Sequence, residues 1–479
     1  MAAFSGSEFL TATPEAQGLS SRAIARALRS IEQSGKDIHS MLLMRRGRLV
    51  FEHYFAPYGP GTRHAMYSCS KTFTAMTIGI AQDRGLIRLS DKVLSFFPDV
   101  PVAQRGDNLA AMTIRDLLVM GSGHGEDTFG YMLDDPDGDW VRVFLGRPVD
   151  HAPGAHFVYN TGATYMLSAI LQRVTGRTLH DLAEEWLFSK LGIRDTVWDA
   201  CPRGITMGGT GLHLVPRDMA RMGWMLLNFG DFDGERVVPE HYVREAARRQ
   251  IDNGNPSDPG QNPNWASGYG YQMWRCAFDA FRADGMGGQY IVMVPGQELV
   301  AVFTSGLGGD IGFPLDVLAE HILPALSDAS LPPDPEGAGE LARLAARLHR
   351  PTPGAMPAEA ASLPWGQKIE FEPNDLKLAD LILDQGELRA TLDGEQLLVK
   401  FAWGAPVIHA ENTFSFHRRV PGLPISGMAW WEDGLRLRIN FVGQPLTLNL
   451  RLYFEGDRAH LSVANTMAGE GAASGRVVG

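Results

Sequence analysis

Lysine is scarce in this 479-residue chain. Of 43 basic side chains only seven are lysine (Lys36, Lys71, Lys92, Lys190, Lys368, Lys377 and Lys400), and arginine supplies the rest. Arginine cannot give up its proton in a protein, whereas a buried lysine can be lowered into the range where it acts as a base, so each lysine is worth placing. Cysteine is scarcer still. Cys69, Cys201 and Cys276 are odd in number and widely spaced, which excludes a disulfide framework and the paired spacings of a zinc site. Reduced thiols are expected. No run of 18 apolar residues is available to span a bilayer, and the amino terminus, MAAFSGSEFLTATPEAQ, lacks a basic segment followed by an apolar one; a soluble chain kept in the cytoplasm is the expectation. A surplus of positive charge is missing too. With 55 acidic against 43 basic residues the net charge is −12, which repels nucleic-acid phosphates and anionic membrane surfaces, so neither is an expected partner.

What is present divides the chain. LSSRAIARALRSIEQSGKD starts at a capping serine, Ser20 or Ser21, and spaces Ile24, Leu28 and Ile31 as an amphipathic helix does. SMLLMRRGRLVFEHYF is two apolar runs about Gly47, and QYIVMVPGQELVAVFTS repeats the device about Pro295-Gly296, so both predict hairpins. Between them lie helical patterns at Thr72 to Arg84, Thr164 to Thr175 and Pro216 to Phe229, each closed by a glycine. One sheet formed from both ends, with helices inserted between, is implied. From about Ser327 the composition turns to proline, alanine and glycine with one short helical pattern, which reads as a linker over residues 327–365. Beyond it the period is two. Leu435, Leu437, Ile439 and Phe441, then Leu446, Leu448, Leu450 and Leu452, alternate with polar residues, so residues 366–479 predict an antiparallel β barrel or sandwich. The first domain is then residues 1–326, and self-association through the last domain is open.

Among the lysines, only Lys71 has a serine three positions before it, in MYSCSKTFTAMTIGIAQDRGL. If a helix begins near Ser68, residues i and i+3 share a face about 5–6 Å apart at Cβ, within reach of an ammonium stem. A helix start also offers free backbone N–H groups and partial positive charge, which favour a developing alkoxide and turn the nucleophile's own N–H toward a substrate carbonyl. Phe73, Met76, Ile80 and Ala81 make the helix apolar, so Lys71 enters a desolvating environment. A serine at such a position also serves as a plain cap, and Cys69 and Ser70 compete as nucleophiles, although neither has its lysine at i+3.

These residues resemble a known family. MYSCSKTFTAMTIGIAQDRGLIRLSDKVLSFFPD, MTIRDLLVMGSGHG, PGAHFVYNTGATYMLSAILQRVTGRTL, GGTGLHLVPRDMARMGWMLLNFGDFDGERVVPE and GMGGQYIVMVPGQELVAVFTS, in this order over roughly residues 15 to 325, are similar to the serine hydrolases of the β-lactamase and penicillin-binding-protein superfamily, in the class C β-lactamase-like branch. The resemblance implies an α/β (α+β) catalytic domain, an antiparallel sheet flanked by helices with an all-helical insertion. It implies Ser68 as the acylated nucleophile with Lys71 as its partner. Tyr159 matches the phenol of the second motif, in Tyr159-Asn160-Thr161, and Met286-Gly287-Gly288 matches the third, with Gln289 giving the second oxyanion N–H beside that of Ser68. Asn160, Thr161, Met286, Gly287 and Gly288 are implied as substrate contacts. A tyrosine beside a cationic lysine can have its pKa lowered, so Tyr159 and Lys71 both stand as candidate bases.

Two departures narrow the substrate. Met286 stands where family members place a cation or imidazole that holds a substrate carboxylate, and Thr161 stands where an asparagine is common. Esters and uncharged amides are therefore expected, with β-lactamase or D-aminopeptidase and DD-peptidase activity as the alternative, and an inactive scaffold of the same fold as the competitor. No metal or organic cofactor is implied. His124, His151 and His156 lack a third ligand at fixed spacing. The acidic run Glu126, Asp127, Asp134, Asp135, Asp137 and Asp139 reads as a solvated face or as a rim that disfavours anions, and Tyr269, Tyr271 and Trp274 as core or cleft wall.

Overall fold

The computed structural model describes residues 4–5, 8–102, 106–254, 260–409, 424–466 and 469–478. Helix α1 (Ser21–Ser34) leads into the first hairpin, β1 (Ile38–Arg45) and β2 (Arg48–Tyr54), whose turn places Arg46 and Gly47 at φ 48° and 74°. The inserted region carries α2 (Ser70–Asp83), α3 (Thr161–Thr175) and α4 (Pro216–Leu227). The chain then returns as β3 (Trp274–Arg275), β4 (Phe281–Gly285), β5 (Gln289–Val294) and β6 (Leu299–Ser305). The six strands form one antiparallel sheet in the order β3-β4-β5-β6-β1-β2, so the two ends of the domain meet where β6 pairs with β1.

Period-two alternation sorts this sheet between two cores. Leu42, Met44, Ile291, Met293, Val300 and Val302 join α2, α3 and α4, whereas Met41, Leu43, Tyr290, Val292, Ala301 and Phe303 join α1 on the opposite face. The second core holds one more helix. α5 (Pro335–His349) falls within the residues read as a linker, yet Leu341 and Leu344 are buried with α1 and its charges pair across to it, Arg22 with Asp334 at 2.7 Å and Arg347 with Glu32 at 2.5 Å. Its apolar stripe was visible in the sequence; its partner helix, some 300 residues earlier, was not. Among the described residues no helix is long and apolar enough to cross a membrane.

The last domain is a closed barrel. β7 (Lys368–Phe371), β8 (Leu378–Asp384), β9 (Glu387–Leu392), β10 (Glu395–Trp403), β11 (Val407–His409), β12 (Ile425–Trp431), β13 (Leu435–Phe441), β14 (Thr447–Glu455), β15 (Arg458–Asn465) and β16 (Gly469–Val478) pair in the order β10-β9-β8-β7-β16-β15-β14-β13-β12-β11. A parallel pairing of β10 with β12 shuts the ring of nine and leaves the short β11 outside it. Gly427 sits at the closure, where an added Cβ would lie 2.5 Å from the Lys400 carbonyl oxygen. The leucines of β13 and β14 fill the interior.

Helix α2 is buried on nearly every side from Ser70 to Ala81, so it is the pillar of the first domain. Gly79 lies in its middle, where a Cβ would come within 2.4 Å of the Tyr242 ring, and the Tyr242 hydroxyl donates to the Ala75 carbonyl at 2.8 Å. Alanine would gain about 1 kcal/mol of helix propensity but overpack this contact at about 1–3 kcal/mol. Gly79→Ala is therefore expected to lower stability by up to about 2 kcal/mol in urea unfolding; a raised midpoint would show that Tyr242 gives way freely.

Candidate active site

Ser68 is carried on a single 3-10 turn, Tyr67–Cys69, that runs straight into α2. The turn places Tyr67 at φ 45°, a left-handed conformation that costs a non-glycine residue about 1–3 kcal/mol and that the surroundings must hold. Ser68 is only half-buried. Its two rivals are not. Ser70 is fully buried, donating to the Tyr67 carbonyl at 2.6 Å and accepting from the Leu212 amide at 3.2 Å. Cys69 is equally buried, its thiol donates to the Gln289 carbonyl at 3.2 Å, and burial pushes its pKa well up.

Lys71 lies one turn along, 1% exposed, with Nζ 2.9 Å from Ser68 Oγ, 3.3 Å from Thr161 Oγ1 and 2.8 Å from the Gly209 carbonyl oxygen. Desolvation lowers its pKa to about 7, although the nearby Asp127, Cys69 and Asp284 pull upward. This makes the three neighbours informative. A neutral amine has two N–H donors and one lone pair, and the Gly209 carbonyl can only accept. The lone pair must then face a hydroxyl, Ser68 or Thr161, which is the arrangement of a base about to take a proton.

Tyr159 presents its ring 4.9 Å from Lys71 Nζ and stacks on Trp274 with centroids 5.3 Å apart, while Tyr269 meets it edge-on. Its phenol does not behave as the sequence suggested. Burial raises its pKa far above the ordinary value, its hydrogen bond with Ser68 works against this, and the charges of Asp284, Cys69 and Asp127 raise it further. Tyr159 is thus a proton donor at neutral pH, and Lys71 is the group that can accept.

The remaining expected residues divide. Thr161 begins α3 and offers its hydroxyl to Lys71. Asn160 caps that helix, and its Oδ1 accepts from the Gly162 amide at 3.0 Å and from the Thr128 amide and hydroxyl at 3.1 and 2.9 Å. It is fully buried, and these three bonds take up its side-chain oxygen. Met286, Gly287 and Gly288 form the turn between β4 and β5; Met286 is 53% exposed, and both glycines have positive φ. Gln289 opens β5 with its side chain locked, its amide donating to the Ser305 carbonyl at 2.6 Å. The Cys69 thiol ties the Gln289 backbone to the turn that carries Ser68.

Sequence reasoning missed Gly209 and Gly285. A Cβ on Gly209 would lie 2.8 Å from Thr161 Cγ2, and one on Gly285 would lie 2.3 Å from the Met66 carbonyl oxygen, so both permit backbone approaches that bring the motifs together. Neither carries a side chain to betray its part. The acidic run is mostly paired: Arg142 meets Asp135 at 2.7 Å and Asp137 at 3.4 Å, and Arg203 meets Asp139 at 2.8 Å. Asp127 is different. Exposed beside the site, it accepts from the Thr161 amide at 2.9 Å and is the foremost charge acting on Lys71. His124 is buried between Ser122 and the Phe144 carbonyl and is lowered to about 4 by desolvation, hence neutral. Among the described residues no three His, Cys, Asp or Glu converge as a metal site.

The family model described as Beta-lactamase matches residues 28–313. The chain belongs to the Beta-lactamase family. It is 24% identical over 310 residues to the 6-aminohexanoate-dimer hydrolase of Paenarthrobacter ureafaciens, covering 61% of this chain and 79% of that one. Two solved structures share the fold. EstCE1, a hydrolase with promiscuous acyltransferase activity, superimposes with a TM-score of 0.52 at 16% identity over 62% of this chain and 98% of its own. The octameric penicillin-binding protein homologue from Pyrococcus abyssi does so with a TM-score of 0.51 at 15% identity over 94% of this β-lactamase-family chain and 99% of its own, so the likeness runs into the barrel.

The lowered lysine sets a pH dependence with a definite sign. Lys71 accepts a proton only when neutral, a state that fills as pH rises through about 7. Labelling of Ser68 by a fluorophosphonate should therefore accelerate from pH 5 to 9 with a midpoint near 7, and Lys71→Arg should slow it by about 10²–10⁴-fold and abolish the limb. A rate independent of pH across that range would remove Lys71 from the role.

Proposed function

We propose that this protein is a serine hydrolase that cleaves a carboxylic ester or an uncharged amide through an acyl-enzyme on Ser68. The observation that carries the reading is the pair formed by a half-open hydroxyl and a buried amine 2.9 Å away whose pKa is lowered to about 7. Lys71 Nζ takes the Ser68 proton as Oγ attacks the substrate carbonyl carbon. The carbonyl π electrons move to oxygen, and the oxyanion is met by the backbone N–H groups of Ser68 and Gln289. Tyr159, kept neutral by burial, gives its proton to the leaving atom as the oxyanion collapses and the C–O or C–N bond breaks, and it regains a proton from the Lys71 ammonium, which becomes a neutral amine again. Water then attacks the acyl carbon while Lys71 takes a proton from it, and as the second tetrahedral species collapses Lys71 returns that proton to Ser68 Oγ and the carboxylic acid leaves.

Substrate choice follows from charge. An exposed thioether at Met286 offers nothing to a substrate carboxylate, and the exposed Asp127 carboxylate beside Lys71 repels one. The three free cysteines, all buried, fit a reducing compartment, and we place the protein in the cytoplasm.

A fluorophosphonate probe should label the folded wild type and fail on Ser68→Ala; no labelling of the folded wild type would favour a non-catalytic scaffold. Side by side, short-chain p-nitrophenyl esters should turn over faster than the carboxylate-bearing lactam nitrocefin. Met286→Lys should narrow that gap about tenfold in kcat/KM by supplying a charge-assisted hydrogen bond. A wild type that prefers nitrocefin would overturn the substrate assignment while leaving Ser68 in place.

A further inference from the structure

One loop of the barrel touches both the segment that precedes Ser68 and the turn that precedes Gln289. The connection between β13 and β14, residues 442–446, lies against two segments of the catalytic domain that are far apart in sequence. At the first, the Ala65 amide donates to the Gly443 carbonyl at 2.7 Å, three residues before Ser68. Gly443 has φ 89°, and a Cβ on it would lie 2.5 Å from the Arg63 carbonyl oxygen, so backbone rests directly on backbone there. At the second, the Met286–Gly288 turn meets Pro445: a Cβ on Gly287 would lie 2.3 Å from Pro445 Cβ, two residues before Gln289.

The loop is itself held firmly. Thr466 Oγ1 donates to the Pro445 carbonyl at 3.0 Å and accepts from the Thr447 amide at 3.0 Å. Next to it the barrel docks on Asp37, a half-buried carboxylate at the domain boundary that takes hydrogen bonds from Asn440 Nδ2 at 2.8 Å and from the Thr447 hydroxyl. The Asp37 carbonyl in turn accepts from the Gly306 amide at 2.8 Å, and the Leu307 amide donates to the Gly287 carbonyl at 3.0 Å. A continuous chain of contacts therefore runs from the barrel to the turn that precedes Gln289.

We infer that the 442–446 loop is a brace that sets the separation of the Ser68 and Gln289 amides, with Pro445 and Gly443 as positioning residues for the oxyanion. This rests on the reading of those two amides as the oxyanion donors. Such donors act only when both sit about 2.7–3.1 Å from the oxyanion, and misplacement by 1 Å costs about 10²-fold, so a scaffold pressing on both segments at once has leverage on the transition state that a contact with either alone would lack. The substrate's ground state makes weaker demands on the same geometry.

The test separates transition-state from ground-state binding. Pro445→Gly and the milder Pro445→Ala should lower kcat for a p-nitrophenyl ester by about tenfold for the glycine variant and less for alanine, with KM within about threefold of wild type. The inhibition constant of phenylboronic acid, whose tetrahedral serine adduct puts an oxygen in the same hole, should rise in step with the fall in kcat. Thr447→Val should behave like the proline variants, and Thr447→Ser, which keeps the hydroxyl on Asp37, should restore both readings. Folded proline variants with kcat and boronate affinity within about twofold of wild type would overturn the brace, as would a rise in KM without loss of kcat. A wild type that neither labels at Ser68 nor hydrolyses ester would overturn the underlying reading as well, so the two failures are distinguishable.

Discussion

The amine of Lys71 is buried, and its surroundings settle what the rest of the molecule has to supply. Taking an ammonium out of water is unfavourable unless it is paired, and here the lysine meets only two hydroxyls and a carbonyl at hydrogen-bonding distance, with Asp127 acting as a more distant charge. Proton loss relieves part of that penalty, which is why the pKa falls from 10.5 to about 7. The consequence for stability has a sign. The unfolded chain, with an ordinary lysine, binds more protons than the native state between about pH 7 and 10, so the native state gains from this group as pH rises through that interval and carries the full penalty below it. The all-round apolar burial of α2 is what makes a lysine at its first turn tolerable.

Placing such a group is a matter of backbone approach. Gly209 lets its strand of chain come close enough for its carbonyl to bond Lys71, and Gly285 lets β4 lie against the turn that carries Ser68. The Cys69 thiol fastens β5 to the same turn. Three parts of the sequence, near residues 68, 161 and 289, thus converge because the positions between them lack a Cβ or turn one inward. Arg282 and Asp284 on β4 pair at 2.8 Å with side chains 0% and 8% exposed, and the Asp284 charge raises both Lys71 and Tyr159.

Much of this was legible in the residues. Period-two leucines announced the barrel, the two apolar hairpins announced the sheet, and Ser68 with Lys71 at i+3 announced a contact that the structure measures at 2.9 Å. What escaped has a common cause. The direction of the Tyr159 shift depends on the desolvation of a ring packed against Trp274 and Tyr269, and no local pattern encodes that packing. Asn160 looks like a substrate ligand in the string Tyr-Asn-Thr because a cap and a ligand use the same amide; only the fold shows that Thr128 and Gly162 have already taken its oxygen. The helix at 335–349 has a plain amphipathic pattern, but a pattern does not name the surface that covers it.

The barrel raises the question of whether its docking and the chemistry would titrate together. Its main polar contact is Asp37, which burial alone would push upward; the charge and hydrogen bond of His39, the charge of Arg438 and the Thr447 hydroxyl more than offset that and hold it at about 2. The carboxylate therefore stays ionised throughout the range in which Lys71 changes charge near 7, and the hydrogen bonds from Asn440 and Thr447 keep their acceptor on both sides of that midpoint. On the proposed reading of Ser68 and Gln289 as oxyanion donors and of Lys71 as the base, geometry and protonation are for this reason supplied by separate parts of the structure. One is fixed by a domain contact whose carboxylate does not titrate in the working range, and the other is set by a single desolvated amine that does.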